Sequence, residues 1–81
     1  MKPLVTLYTR RGCCLCDEAK AVLTAARPRA EFEYQEFDID RDPELAALYN
    51  DEVPVIAIDG RKAFKYRVTM EDFLKKLAAR R

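Results

Sequence analysis

The stretch that decides the fold of this chain runs from Thr9 to Glu18: Thr9-Arg10-Arg11-Gly12-Cys13-Cys14-Leu15-Cys16-Asp17-Glu18. It follows a β-type apolar run, Leu4–Thr9, and it begins a helical pattern. Cys13 and Cys16 have C-x-x-C spacing, and residues three apart share one face of a helix, so both sulfurs are expected on the first turn. The free backbone N–H groups and the positive dipole end of that turn favour a thiolate. Because the thiolate is the attacking form in disulfide exchange, the stretch predicts a redox site.

The residues around the cysteine pair have two interpretations each. Arg10 and Arg11 are predicted to favour the thiolate of Cys13 and to attract an anionic substrate, and the alternative is that they are solvated surface charges. Cys14 does not share the face of the pair and is interpreted as an incidental thiol. A bridge between the adjacent Cys13 and Cys14 would be strained and is not predicted.

Length and composition narrow the class of protein. The 81 residues suit one domain, residues 1–81, and 15 basic against 14 acidic residues leave a net charge of +1, which gives no general attraction to nucleic acid or membranes. The apolar run Leu4–Thr9 is too short for a signal-peptide core or a membrane span, so a cytoplasmic location is expected. The chain has three cysteines, all within Cys13–Cys16, and no histidine. In a reducing compartment such a cluster favours catalysis or metal binding over a structural disulfide framework.

Strand and helix patterns alternate along the rest of the chain. The predicted strands are Leu4–Thr9, Phe32–Asp38, Val53–Ile58 and Arg61–Val68, and the first helix runs from Cys14 to Arg27, where Pro28 ends it. Asp42 is the expected cap of a second helix that starts at Pro43. Thr69 is the expected cap of a third helix, which ends in the basic residues Lys75-Lys76 and Arg80-Arg81.

The apolar positions of the helices predict their buried faces. The predicted inward residues are Ala19, Val22, Leu23 and Ala26 in the first helix, Leu45, Leu48 and Tyr49 in the second, and Met70, Phe73, Leu74 and Leu77 in the third. The aromatic residues Tyr8, Phe64 and Tyr66 are interpreted as core or sheet-surface residues rather than as a binding platform. The acidic run Asp38–Asp42 lacks the longer ligand pattern and the glycine turn of a calcium site.

The element order βαβαββα predicts an α/β fold. A helical crossover makes the first two strands parallel, and Asp59-Gly60 is a two-residue hairpin signal that makes the last two antiparallel. The expected result is a four-stranded mixed sheet flanked by three helices. Cys13 then lies beyond the carboxyl end of the first strand, at the edge of the sheet where such folds place their sites.

Three segments carry a resemblance to a known family. Leu7–Ala19 with its C-x-x-C, Val53-Pro54-Val55 and Ile58-Asp59-Gly60 resemble the glutaredoxin-like proteins of the thioredoxin-fold superfamily, and the resemblance covers essentially the whole chain. It implies a thiol–disulfide oxidoreductase that reduces protein or glutathione mixed disulfides, with Cys13 attacking and Cys16 resolving. It also implies that Pro54 is cis and faces the pair, so that Val53 pairs with an extended substrate. Without the C-x-x-C, the favoured interpretation of Pro54 would be the start of a strand, where proline is tolerated.

The resemblance extends to ligands and partners. It implies no bound cofactor, glutathione or a thioredoxin-type reductase as electron donor, a disulfide-containing protein or small thiol as substrate, and a monomer. Arg10 matches the basic residue that contacts glutathione's carboxylate in the family. Two features depart from the family pattern. Cys14-Leu15 replaces Pro-Tyr between the cysteines, which puts Leu15 beside the substrate, and Ala63–Arg67 lacks the glycine pair that holds glutathione.

Two other functions stay open. In a metal or iron–sulfur cluster module, two or three thiolates are too few for a closed four-ligand site in one subunit, so a dimer would be required. The remaining alternative is a non-catalytic domain that keeps the fold only to bind a partner.

Overall fold

A computed structural model describes residues 2–79, so Met1 and the predicted basic tail pair Arg80-Arg81 lie outside the described residues. The strands are β1 (Leu4–Thr9), β2 (Glu33–Asp38), β3 (Val55–Ile58) and β4 (Arg61–Lys65), and the helices are α1 (Cys14–Ala26), α2 (Pro43–Tyr49) and α3 (Met70–Ala79). Single 3-10 turns at Arg27–Arg29 and Ile39–Arg41 flank β2.

The four strands form one sheet in the order β2-β1-β3-β4. β1 pairs parallel to β2, while β3 pairs antiparallel to both β1 and β4. This confirms the predicted βαβαββα arrangement, a mixed sheet with three helices. The hairpin between β3 and β4 is also confirmed, because Asp59 and Gly60 both have positive φ, 52° and 84°, as a tight two-residue hairpin turn requires.

The main core lies on the face of the sheet that α1 and α3 cover. Its most buried members are Val5, Leu7, Ile56 and Ile58 from the sheet, Ala19, Leu23 and Ala26 from α1, and Phe73 and Leu77 from α3. The rings of Phe32 and Phe73 meet edge to face with centroids 5.4 Å apart. These residues confirm the predicted stripes of α1 and α3, although Val22, Met70 and Leu74 are only partly buried.

The opposite face of the sheet carries α2 and an aromatic cluster. Tyr8, whose neighbour Leu7 faces the main core, stacks on Phe37 at 5.9 Å between centroids and meets Tyr49 of α2 at 4.7 Å. The predicted inward position of Leu48 is wrong, since the residue is 62% exposed. A helix of seven residues presents only a narrow stripe to the sheet, and Leu45 and Tyr49, which are half-buried, take that stripe.

The helix caps agree with the sequence pattern, but three strand boundaries do not. β2 begins at Glu33 rather than Phe32. Asp42 accepts the backbone N–H of Glu44 at 2.9 Å, and Thr69 accepts that of Asp72 at 3.1 Å. β3 begins at Val55 rather than Val53, because proline has no N–H to offer the ladder. β4 ends at Lys65 rather than Val68, because a φ of +67° at Tyr66 turns the chain away from the strand.

The helices in the described part of the chain, residues 2–79, do not have the length and apolar character needed to cross a bilayer.

Candidate active site

A tight turn between β1 and α1 places Cys13 at the start of the helix. Gly12 has a φ of +78°, in the left-handed region that glycine adopts readily, and the chain reverses there. Cys13 is extended (φ −95°, ψ 112°) and is the N-cap of α1. Its Sγ accepts the backbone N–H of Cys16 at 3.2 Å, where a serine or aspartate cap would use oxygen. Both sulfurs therefore lie on the first turn, as the spacing predicts.

The two cysteines of the motif differ sharply in exposure. Cys13 is half-buried, whereas Cys16 is 2% exposed and joins Ala19, Leu23 and Ala26 in the buried stripe of α1. Cys14 is exposed, in keeping with its predicted position off the shared face. Cys13 therefore has surface open to a reagent from solvent, whereas Cys16 is shielded.

The environment of Cys16 favours its neutral thiol. Burial raises the pKa of Cys16, and the hydrogen bond and the charge interaction with Cys13 raise it further. The Thr9 side chain and the Arg10 backbone form hydrogen bonds that act in the opposite direction. Thr9 is a site residue that sequence reasoning missed, because nothing in a strand-end threonine marks it as a partner of a cysteine seven positions on.

Val53 and Pro54 lie beside the loop that carries the cysteines. β1 pairs with β3 through Tyr8 and Val55, so the next pair in the antiparallel register brings Thr9 opposite Pro54. The Val53–Pro54 peptide bond is cis, which confirms the predicted isomer. Pro54 is buried and Val53 is half-buried. An ion pair between Lys62 of β4 and Glu52, 2.6 Å long, joins β4 to the segment just before them.

Arg10 is engaged by the protein itself. Its guanidinium makes a forked contact with the carboxylate of Asp40 at 2.9–3.2 Å and also donates to the side chain and the backbone carbonyl of Asn50 at 2.8 and 3.1 Å. The hydrogen bond to Asp40 raises the pKa of Arg10. The side chain thus joins the cysteine loop to the 3-10 turn before α2 and to the residue that ends α2. These partners lie 30 and 40 positions away along the chain, so no local sequence pattern predicts them.

The other two predicted substrate-side residues flank the pair. Arg11 is exposed, and Leu15 is half-buried. The structure therefore brings Cys13, Cys16 and the Val53–Pro54 segment to one edge of the sheet, with Thr9 between them, and it ties Arg10 to Asp40. No trio of His, Cys, Asp or Glu side chains within residues 2–79 is arranged to hold a metal ion.

Comparison with known proteins agrees with this geometry. Residues 4–78 match the model of the glutaredoxin-like domain (DUF836). The chain belongs to this glutaredoxin-like family. A relative described as a glutaredoxin-like protein, from Dictyostelium discoideum, is 33% identical over 70 residues, which cover 79% of this chain and 65% of the relative. The chain thus spans just under two thirds of the length of that glutaredoxin-like relative.

Solved structures place the glutaredoxin-like chain in the thioredoxin fold. A structural genomics target protein from X. campestris superposes with a TM-score of 0.80 at 32% identity, covering 95% of this chain and 99% of that one. Thioredoxin from Fasciola hepatica superposes with a TM-score of 0.65 at 21% identity, covering 99% of this chain and 82% of the thioredoxin. At that identity the second likeness concerns the fold alone.

Proposed function

We propose that this glutaredoxin-like protein is a thiol–disulfide oxidoreductase that uses Cys13 and Cys16 as a dithiol to reduce disulfides of proteins or mixed disulfides of glutathione. One observation supports this most directly: Cys13 is partly exposed and its sulfur accepts a helix N–H, while Cys16 is buried one turn away. An accessible sulfur with a hydrogen-bond donor suits attack, and a shielded neighbour suits resolution.

The first step forms a mixed disulfide. The thiolate of Cys13 attacks one sulfur of the substrate disulfide, a bond forms between that sulfur and Cys13, and the substrate S–S bond breaks. The other substrate sulfur leaves as a thiolate and takes a proton from solvent. The hydrogen bond from the Cys16 N–H stabilises the negative charge on Cys13 before attack.

The second step uses Cys16. Once Cys13 is in a mixed disulfide, its sulfur is neutral, so the charge interaction that helps to raise the pKa of Cys16 disappears. Cys16 loses its proton and attacks the sulfur of Cys13, which releases the second substrate thiol. The substrate gains two electrons, and the pair becomes a Cys13–Cys16 disulfide.

The full cycle needs an external donor. We assign that role to glutathione or to a thioredoxin-type reductase, with no bound cofactor, and we place the reaction in the cytoplasm with a monomeric enzyme. Val53 and Pro54 line the substrate side of the pair and Leu15 and Arg11 its rim. The partners are a disulfide-containing protein or a small thiol substrate, without nucleic acid or membrane.

The test is a single-turnover assay that needs no donor. The protein is reduced, freed of reductant and mixed with an equimolar peptide disulfide, and released thiol is measured. Cys13→Ser is expected to abolish the reaction. Cys16→Ser is expected to stop at an adduct whose mass equals protein plus one peptide half.

Cys14→Ser is the matched control, because it removes a thiol next to Cys13 that the mechanism does not use. Its turnover is expected to equal that of the wild type. Wild-type turnover in Cys13→Ser, or a Cys16→Ser protein that never forms the adduct, contradicts the proposed function.

A further inference from the structure

Tyr66 has an unusual backbone conformation at the end of β4. Its φ is +67°, and the N–H of Arg67 donates to the carbonyl of Lys65 at 2.8 Å across it. Together these make a three-residue turn with a positive φ at its centre, a form that is rare and strained. For a residue as bulky as tyrosine, this region of φ is a true outlier.

Burial of the side chain does not compensate for this strain. Tyr66 is 43% exposed as a residue, and the ammonium group of Lys65 lies 5.5 Å from the centre of its ring. A glycine would adopt the same backbone without a steric cost. Strained residues that persist in this way concentrate at ligand-binding and catalytic sites, where the side chain itself is needed.

The position of Tyr66 connects it with the cysteine pair. Its N–H donates to the carbonyl of Pro54 at 2.9 Å, so it lies directly next to the residue that precedes Val55, the partner of Tyr8 in β1. Arg67, the next residue, reaches Glu18 of α1 with 3.6 Å between the charged atoms. The turn at Tyr66 therefore lies at the same end of the strands as Cys13.

Two of the cations near this end of the sheet are paired within the protein, and two, Arg11 and Lys65, are exposed. Arg10 is bound by Asp40, and Arg67 is paired with Glu18. Arg11 is exposed and provides general attraction for anions. The ring of Tyr66 is the accessible apolar surface among these groups, and it can pack against an apolar side chain of a substrate.

From these observations we infer that Tyr66 is a specificity-determining contact residue, whose ring packs against an apolar side chain next to the substrate disulfide. The inference rests on the proposed function. It narrows the substrate class to disulfides carried by peptide segments with an apolar residue beside the cysteine. The chemical steps at Cys13 and Cys16 stay as described above.

The experiment compares three disulfides as substrates: a capped peptide disulfide with phenylalanine beside cysteine, the same peptide with glycine there, and glutathione disulfide. Losing an aromatic contact is expected to raise KM by about three- to tenfold, so Tyr66→Gly should show that rise for the phenylalanine peptide alone. Tyr66→Phe keeps the ring and should keep the KM. Tyr66→Gly should also melt no lower than the wild type, since glycine relieves the strain.

Phe37→Ala is the matched control. Phe37 is aromatic and 42% exposed, but it lies on β2, which the two central strands separate from β4. It should leave all three KM values unchanged. If the wild type reduces both peptides and the KM of Tyr66→Gly for each peptide equals that of the wild type, the inference about Tyr66 is overturned while the proposed function stands. If the wild type reduces none of the three disulfides, the proposed function fails and the inference fails with it.

Discussion

Two glycines of this protein offer a matched test of how the turn before α1 prepares Cys13. Gly12 and Gly60 have φ of +78° and +84°, and a methyl group added at either would meet no atom within 4 Å beyond the adjacent residues. An L-residue in this region costs about 1–2 kcal/mol. Alanine recovers about 0.4–1 kcal/mol by restricting the unfolded chain. Gly12→Ala and Gly60→Ala should therefore each lower the free energy of unfolding by about 1 kcal/mol, or about 4–8 °C in Tm.

Only Gly12→Ala should also change the chemistry. An alanine at this position drives the turn towards negative φ, which displaces the N-cap and lengthens the 3.2 Å contact between the Cys16 N–H and the Cys13 sulfur. A hydrogen bond to a charged group contributes about 1.5 kcal/mol or more, so the rate of attack by Cys13 should fall by about tenfold.

The assay is alkylation by iodoacetamide in a Cys14→Ser background, followed by mass spectrometry, alongside thermal unfolding. Gly60→Ala should lose the same stability and keep the alkylation rate of the parent. If Gly12→Ala alkylates as fast as Gly60→Ala at equal loss of stability, the turn does not prepare Cys13 and the reasoning is refuted.

Three further predictions follow from the contacts of Cys16, Asp42 and Arg10. The pKa of Cys16 is raised in the folded protein, so as pH rises past the ordinary value of 9.0 the Cys16 thiol loses its proton in the unfolded chain before it does so in the folded one. The free energy of unfolding should therefore fall as pH rises past about 9. Cys16→Ala should flatten that part of a plot of Tm against pH, and an unchanged slope would contradict the assignment. Asp42→Ala removes the cap of α2 and should cost about 1 kcal/mol in denaturant unfolding, while Asp42→Asn should retain most of it. Arg10→Ala should lower Tm and slow alkylation of Cys13. Arg10→Lys should recover only part of the Tm and of the alkylation rate, because an ammonium group cannot make the forked contact with Asp40. Equal alkylation rates in the wild type, Arg10→Ala and Arg10→Lys would show that Arg10 does not position the loop.

The parts of this fold that the sequence predicts are those whose signals are local. The capping residues Asp42 and Thr69, the Asp59-Gly60 hairpin and the apolar stripes of α1 and α3 each depend on residues close together in the chain, and each is found in the structure. The position of the cysteine pair is predicted for the same reason, since the end of β1, the turn and the helix start are consecutive.

The features that the sequence does not predict depend on distant partners or on an exception to a local rule. The sequence gives no partner for Arg10, and its contacts with Asp40 and Asn50 depend on the folded chain. The end of β4 could not be predicted, because the turn after it has a positive φ at Tyr66, where the sequence has no glycine to indicate a turn. Leu48 has the spacing of an inward residue, but tertiary packing decides whether a two-turn helix covers the sheet with two side chains or three.

The roles of the two cysteines are set by how the apolar stripe of α1 is phased relative to its cap. Cys16 is the first member of the stripe that continues through Ala19, Leu23 and Ala26, so burial of that stripe also buries its sulfur. Cys13 lies one turn earlier, before the helical backbone begins, and its sulfur instead meets a free N–H. Cys14 and Leu15 are rotated from the stripe by about 100° per residue and face other directions. It follows that Cys14 cannot substitute for Cys16, although it is adjacent to Cys13 in sequence. A Cys16→Ala protein should therefore accumulate the mixed disulfide at Cys13 even with Cys14 present, and mass spectrometry that found a Cys13–Cys14 bridge instead would show that the phase of the helix does not assign these roles.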